Sequence, residues 1–241
     1  MKIIDLVQLK IDRLPKGYVF TYKDLIPEVD NREAIIKSLN RLANTDKINK
    51  LSKGKYYKPE TTVFGELEPA KNQVVKDLLE KGNKIIGYLT GYSIYNQLGL
   101  TTQVSNTIQI GRNDFNPPMK RGMYKITFVK QKNTITKENI PFLQILDAIR
   151  YIKKIPDTAV AVSCTRLQAI LKGFSSDEIA LLTRLVMKYP QSTRELTGAM
   201  LEALDRGNLE PLQKSLNQIT VYRSYDIPKK ILPTAQNWNI R

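Results

Sequence analysis

Apolar residues recur along the first sixty positions in short, interrupted stripes. Ile3, Ile4, Val7 and Ile11 share one side of a helical period, which predicts an amphipathic helix over residues 3–14, closed by the turn Pro15-Lys16-Gly17. Tyr18-Val19-Phe20 reads as a short strand. Thr21 with Asp24 three places on is a capping pattern for a brief helix over 22–26, which Pro27 ends. Asp30 with Glu33 repeats that pattern and opens a third helix over 31–44. At about 100° per residue, Ile35, Leu39, Leu42 and Ala43 gather on one side of it with Ile36 at the margin. Glu33, Lys37, Asn40, Arg41 and Asn44 gather on the other. Residues 47–51 and 56–58 then pair as strands across Ser52-Lys53-Gly54-Lys55, where Gly54 tolerates the positive φ of a tight hairpin.

Three short helices and a terminal hairpin predict a winged helix-turn-helix over 1–60. Residues 61–68 read as a linker, and 69–241 as a mixed, mainly helical domain with a small β-sheet, so the class expected is α+β. Within it the pattern predicts helices over 69–81 and 90–98, strands over 106–110 and 124–129, and helices throughout 141–216. Cys164 falls among apolar neighbours and reads as core. Tyr92 and Tyr95 read as core or domain-interface residues, and the tail with Trp238 as an extended segment lying on the body.

Composition narrows the chemistry. In 241 residues there are 38 Lys and Arg against 23 Asp and Glu, a net charge of +15, which favours polyanionic partners. With no His and a single Cys, neither a His- or Cys-based metal site nor a Ser/His or Cys/His nucleophile can be assembled, and any general base is a carboxylate, Lys or Tyr. No Asp or Glu is followed two places later by Lys, which argues against one common class of metal-dependent nuclease. Gly82 and Gly87 stand at P-loop distance, but Tyr88-Leu89 occupies the place of Lys-Ser/Thr. Glu66 and Glu68 lack a third carboxylate nearby, so they read as exposed linker residues rather than a metal pair. The expectation is a protein without catalytic residues, metal or cofactor. No apolar run approaches the length of a spanning helix and the N-terminus lacks a signal-peptide layout, so a cytoplasmic location and no membrane partner are expected.

The polar face of the third helix carries side chains that meet base edges in a major groove: Lys37 and Arg41 suit guanine, Asn40 and Asn44 adenine. Six basic residues and one acid lie between positions 41 and 58, so the wing region offers positive field to phosphates. Double-stranded DNA is the partner this predicts. The alternative is a winged module that docks a protein or RNA. A second run holds six basic residues and no acid between positions 120 and 137. Of these, Lys120, Arg121, Lys125, Lys130 and Lys132 are candidates for a second polyanion surface, alongside the reading of edge-strand lysines placed against aggregation.

The blocks "LPKGYVFTYKDLI", "LNRLANTDKINKLSKGKYYKP" and "GYLTGYSIYNQLGLTTQVSNTIQIGRN" together resemble the AbiE-type antitoxins of bacterial abortive-infection, type IV toxin–antitoxin systems, over about residues 1–130. The resemblance implies a two-domain regulator that represses its own operon by binding promoter repeats. It also implies an antitoxin opposing a nucleotidyltransferase toxin, in this family without an evident stable complex. It carries the DNA role onto Arg32, Lys37, Asn40, Arg41, Lys53, Lys55 and Tyr56, and the antitoxic role onto basic surface of the second domain, here the cluster of Lys120, Arg121, Lys125, Lys130 and Lys132.

Overall fold

The structure, a computed structural model, describes residues 3–25, 32–217 and 224–241. The fold is α+β, and the chain divides into two units, Met1–Asp77 with Met119–Lys125, and Leu78–Pro118 with Ile126–Arg241.

The first unit opens with α1 (Ile3–Asp12), β1 (Val19–Phe20) and α2 (Tyr22–Leu25), followed by α3 (Arg32–Asn44) and the hairpin β2 (Asn49–Ser52) and β3 (Lys55–Tyr57). Thr21 caps α2 as its sequence expects: its N–H and hydroxyl both donate to the Asp24 carboxylate, at 2.7 and 2.9 Å. The cap expected at Asp30 lies outside the described residues. The strands form an antiparallel sheet in the order β1-β3-β2, with Ser52 opposite Lys55, so the turn is Lys53-Gly54 and Gly54 takes φ +73°. The core gathers Val7, Ile11, Phe20, Leu25, Ile35, Leu39, Leu42, Ile48 and Tyr56.

Residues 61–68, expected as a linker, instead complete a hairpin of β4 (Glu60–Thr62) and β5 (Gly65–Leu67). Thr and Leu on the two arms and Gly65 at φ +107° supply the strand and turn chemistry that the charged residues obscure in the sequence. The helix expected over 69–81 is split into α4 (Lys71–Val74) and α5 (Lys76–Leu79). Val75 between them leaves helical geometry at φ −117° and ψ 15°, and the break lets neighbouring Val74 and Val75 both be fully buried.

The second unit continues with β6 (Glu80–Lys81), β7 (Lys84–Ile85) and β8 (Gly87–Thr90). The helix expected over 90–98 is only a 3₁₀ turn at Gly91–Ser93. Gly91 sits at φ +56° against the Gln109 side chain, whose Oε1 accepts the Tyr92 N–H at 3.2 Å, and left-handed backbone there starts no α-helix. Tyr92 and Tyr95 meet edge to face at 5.8 Å, and Tyr95 is core. β9 (Thr107–Arg112) pairs antiparallel with β8 from Gly87 opposite Arg112 to Thr90 opposite Gln109. β10 (Met119–Arg121) belongs to the first unit, and β11 (Tyr124–Lys130) runs on from it to lie beside β9.

Five helices follow: α6 (Ile140–Arg150), α7 (Val160–Lys172), α8 (Ser176–Val186), α9 (Gln191–Ala203) and α10 (Glu210–Lys214). Their apolar stripes meet around Leu143, Leu146, Cys164, Leu167, Leu182 and Leu196, all fully buried, and burial pushes the Cys164 thiol up to about 12. α8 begins with a capping box in which the Ser175 hydroxyl accepts from the Glu178 N–H and the Glu178 carboxylate accepts from the Ser175 N–H. The described part of the tail, residues 224–241, is exposed or half-buried at most positions and is anchored in the core by Tyr225, Leu232, Trp238 and Ile240. Trp238 is wholly buried, its indole N–H donates to Glu202 at 2.6 Å, and the ring lies where a Cβ on Gly198 would be. Among the described residues no helix is long and apolar enough to cross a membrane.

Candidate nucleic-acid interface

α3 is divided along its length as its sequence period requires. Ile35, Leu39 and Leu42 are buried against α1, α2 and the sheet, with Ile36 and Ala43 at the margin. Arg32, Glu33, Lys37, Asn40, Arg41 and Asn44 are exposed. Ser38 is the polar residue drawn inward, and its hydroxyl is satisfied by the Ala34 carbonyl at 2.8 Å. Asp46 at φ +53° ends the helix, and the Lys47 N–H donates back to the Leu42 carbonyl at 3.1 Å, which aims the chain into β2.

The exposed face is ordered by contacts from below. Tyr56, expected to touch DNA, is only 4% exposed: its ring stacks on Phe20 at 6.3 Å and its phenol donates to Asn40 Oδ1 at 2.8 Å. A tyrosine on the inward side of β3 is held in the core by its apolar area. Its role at this face is to position Asn40, which is itself exposed. The Arg32 guanidinium lies over the Tyr22 ring at 5.1 Å, at the start of α3.

Of the lysines expected to contact DNA from the β2–β3 hairpin, Lys53 at the turn is exposed. Lys55 is half-buried and its amine pairs with Asp77 at 3.1 Å, so its charge is partly spent inside the unit. Asp77 also receives the Arg121 guanidinium at both carboxylate oxygens, at 2.5 and 2.8 Å. Burial pushes the Asp77 carboxyl up, but the hydrogen bonds and charges of Arg121 and then Lys55 outweigh it and hold the group below its ordinary range. Lys47 and Lys50 are exposed and add to the positive surface of this unit. Both fall in the basic run of the sequence, and the alternation of exposed Lys50 with buried Leu51 along β2 is the signal that singles Lys50 out.

The second basic cluster is divided between the units. Lys120 and Lys125 are exposed residues of the first unit, and Lys130 and Lys132 are exposed residues of the second. Arg121 is not a surface residue. It is 8% exposed, donates to the Val74 carbonyl at 2.9 Å and is spent on Asp77. A guanidinium buried there without its carboxylate would be costly. Sequence separation hid this pair, since Asp77 and Arg121 come from distant parts of the chain.

Glu66 and Glu68 are exposed, and the Glu66 carboxylate accepts a hydrogen bond from the Asn49 amide at 2.7 Å. The tip between them and Glu60 carries Val63 and Phe64, almost wholly exposed at 93% and 96%.

Comparison with known proteins places the chain by fold and family. The model of DUF6088, a family of unknown function, matches residues 6–179. The crystal structure of the RV2827C protein from Mycobacterium tuberculosis superposes with a TM-score of 0.55 at 14% identity, covering 90% of this chain and 82% of that one, a likeness of fold. No curated protein matches the chain.

Proposed function

We propose that this chain, which belongs to the DUF6088 family, is a non-enzymatic, cytoplasmic transcriptional repressor that binds double-stranded DNA through its first unit and acts as an antitoxin. The observation that carries the DNA reading is the division of α3. Its apolar side is committed to the core, while Lys37, Asn40, Arg41 and Asn44 stand clear of it. That arrangement suits a winged helix-turn-helix in which α3 enters the major groove and the β2–β3 wing, with Lys53 at its turn, reaches the neighbouring phosphates. The net charge of +15 supports a polyanionic partner. The antitoxin half, against the nucleotidyltransferase toxin that the resemblance implies, is supported by the likeness of the quoted sequence blocks, and coexpression with such a toxin tests it by rescue of growth.

Lys37→Ala with Arg41→Ala tests the groove assignment in an electrophoretic shift on the DNA upstream of the gene. Each base contact is worth about 1–3 kcal/mol, so the pair is expected to weaken binding by about two orders of magnitude. Affinity unchanged by the pair sinks the assignment. The acidic hairpin of β4 and β5, with exposed Val63 and Phe64 at its tip, favours one second reading, a protein-docking module. Salt dependence separates the two, because phosphate contacts give a steep fall of log affinity with log salt and docking a shallow one.

A further inference from the structure

A separate group of cations converges in the second unit. Lys130 at the end of β11, Lys132 just beyond it, Arg150 at the end of α6 and Lys188 after α8 line one hollow of about 330 Å³. Among the described residues none of the four forms an ion pair with a carboxylate. Clustered like charges repel, and an anion relieves them.

The floor of the hollow is built from buried polar side chains. Gln131 and Tyr189 line it at 3% and 6% exposure. The Gln131 amide donates to the Tyr189 and Tyr88 hydroxyls at 2.8 and 2.9 Å. Behind them Asp147 accepts from Tyr88 and Thr90, each at 2.7 Å, and from Tyr189 at 3.0 Å. Burial pushes the Asp147 carboxyl up, against the pull of those hydroxyls and of the Arg150 charge. A second hollow of about 360 Å³ adjoins the first, sharing Arg150 and adding Lys153 and Lys154. Arg150 and Lys154 both lie over the Tyr151 ring, at 5.0 and 5.4 Å, which fixes their heads along the stripe.

We propose that these adjoining hollows are a phosphate-binding groove that takes the phosphates of a nucleotide, free or within a single strand. Each hollow has the size of a small-molecule site, too small to admit a duplex, and amines and a guanidinium are the donors that phosphate oxygens select. The site is distinct from α3 and its existence does not depend on duplex binding by the first unit.

The test uses the full chain carrying Lys37→Ala and Arg41→Ala, so that the α3 face is silenced. It is titrated with a fluorescein-labelled oligouridylate by anisotropy and with ATP by calorimetry, before and after adding Lys130→Gln and Lys188→Gln. Both lysines are exposed, so an unchanged thermal unfolding curve is expected. The affinity of whichever probe binds is expected to fall about tenfold or more, and Lys130→Arg with Lys188→Arg to retain it. Loss for the oligonucleotide alone identifies a strand as the source of the phosphate, and loss for ATP alone a free nucleotide. Binding of neither probe, or affinity indifferent to the glutamine pair, overturns the proposal. Duplex binding by a chain carrying only the glutamine pair reports on the first unit, so failure of one reading is not mistaken for failure of the other.

Discussion

Tyr56 shows how a residue can matter to a surface it does not reach. Its phenol ends under α3 on Asn40, so removing one oxygen acts twice. Tyr56→Phe is expected to cost about 0.5–1.5 kcal/mol in urea unfolding, the usual worth of one hydrogen bond, and also to weaken duplex binding by freeing the Asn40 amide. Unchanged DNA affinity with lowered stability would confine Tyr56 to the core. At Gly198 the constraint is steric. A Cβ there would lie 2.1 Å from the Trp238 ring, so Gly198→Ala must displace the indole and its bond to Glu202. A loss of about 1–3 kcal/mol, with a shifted tryptophan emission, is expected. The sequence shows both residues but not these roles. A Tyr beside a basic turn reads as a contact residue until the inward side of β3 is known. A lone Trp in a proline-rich tail carries no periodicity to announce that it fills a gap left by a glycine forty residues earlier.

The elements legible in advance are those whose boundaries are chemical and whose faces are long. α3 spans nearly four turns with a consistent apolar side, and its burial follows the period residue by residue. α6 to α9 are equally plain. Where the sequence misleads, a local backbone requirement wins over periodicity: Val75 breaks one expected helix and Gly91, left-handed against Gln109, forbids another. The basic run at 120–132 loses one member for a different reason, because β10 turns Arg121 inward to Asp77. That pair also makes the first unit acid-sensitive. The folded carboxyl is held below its ordinary value near 3.9, so its stabilisation is present at pH above that value and is lost as pH falls through the lowered one. Asp77→Asn should therefore destabilise at about pH 6, and the difference from the parent should shrink steadily towards about pH 2. A difference that persists unaltered at the acid end would show that shape, not charge, is what Asp77 contributes.

At the scale of the molecule, the two units bury separate sets of side chains. One core is built around Leu39 and Phe20, the other around Leu146, Leu167 and Trp238, and each set draws its members from its own unit. Chains with two such cores need not unfold in one step, and a local lesson follows for interpreting variants. Leu39 and Leu146 are both fully buried, and truncating either to Ala removes apolar contacts and leaves a cavity, a loss of about 2–5 kcal/mol. If the cores are energetically as distinct as their membership, Leu39→Ala is expected to lower one calorimetric transition and to abolish the proposed duplex binding at temperatures where the proposed phosphate binding by the second unit persists. Leu146→Ala does the reverse. A single transition, moved equally by either substitution, would mean that the cores melt together, and loss of DNA binding could then no longer be assigned to α3 without a matched stability measurement on every variant.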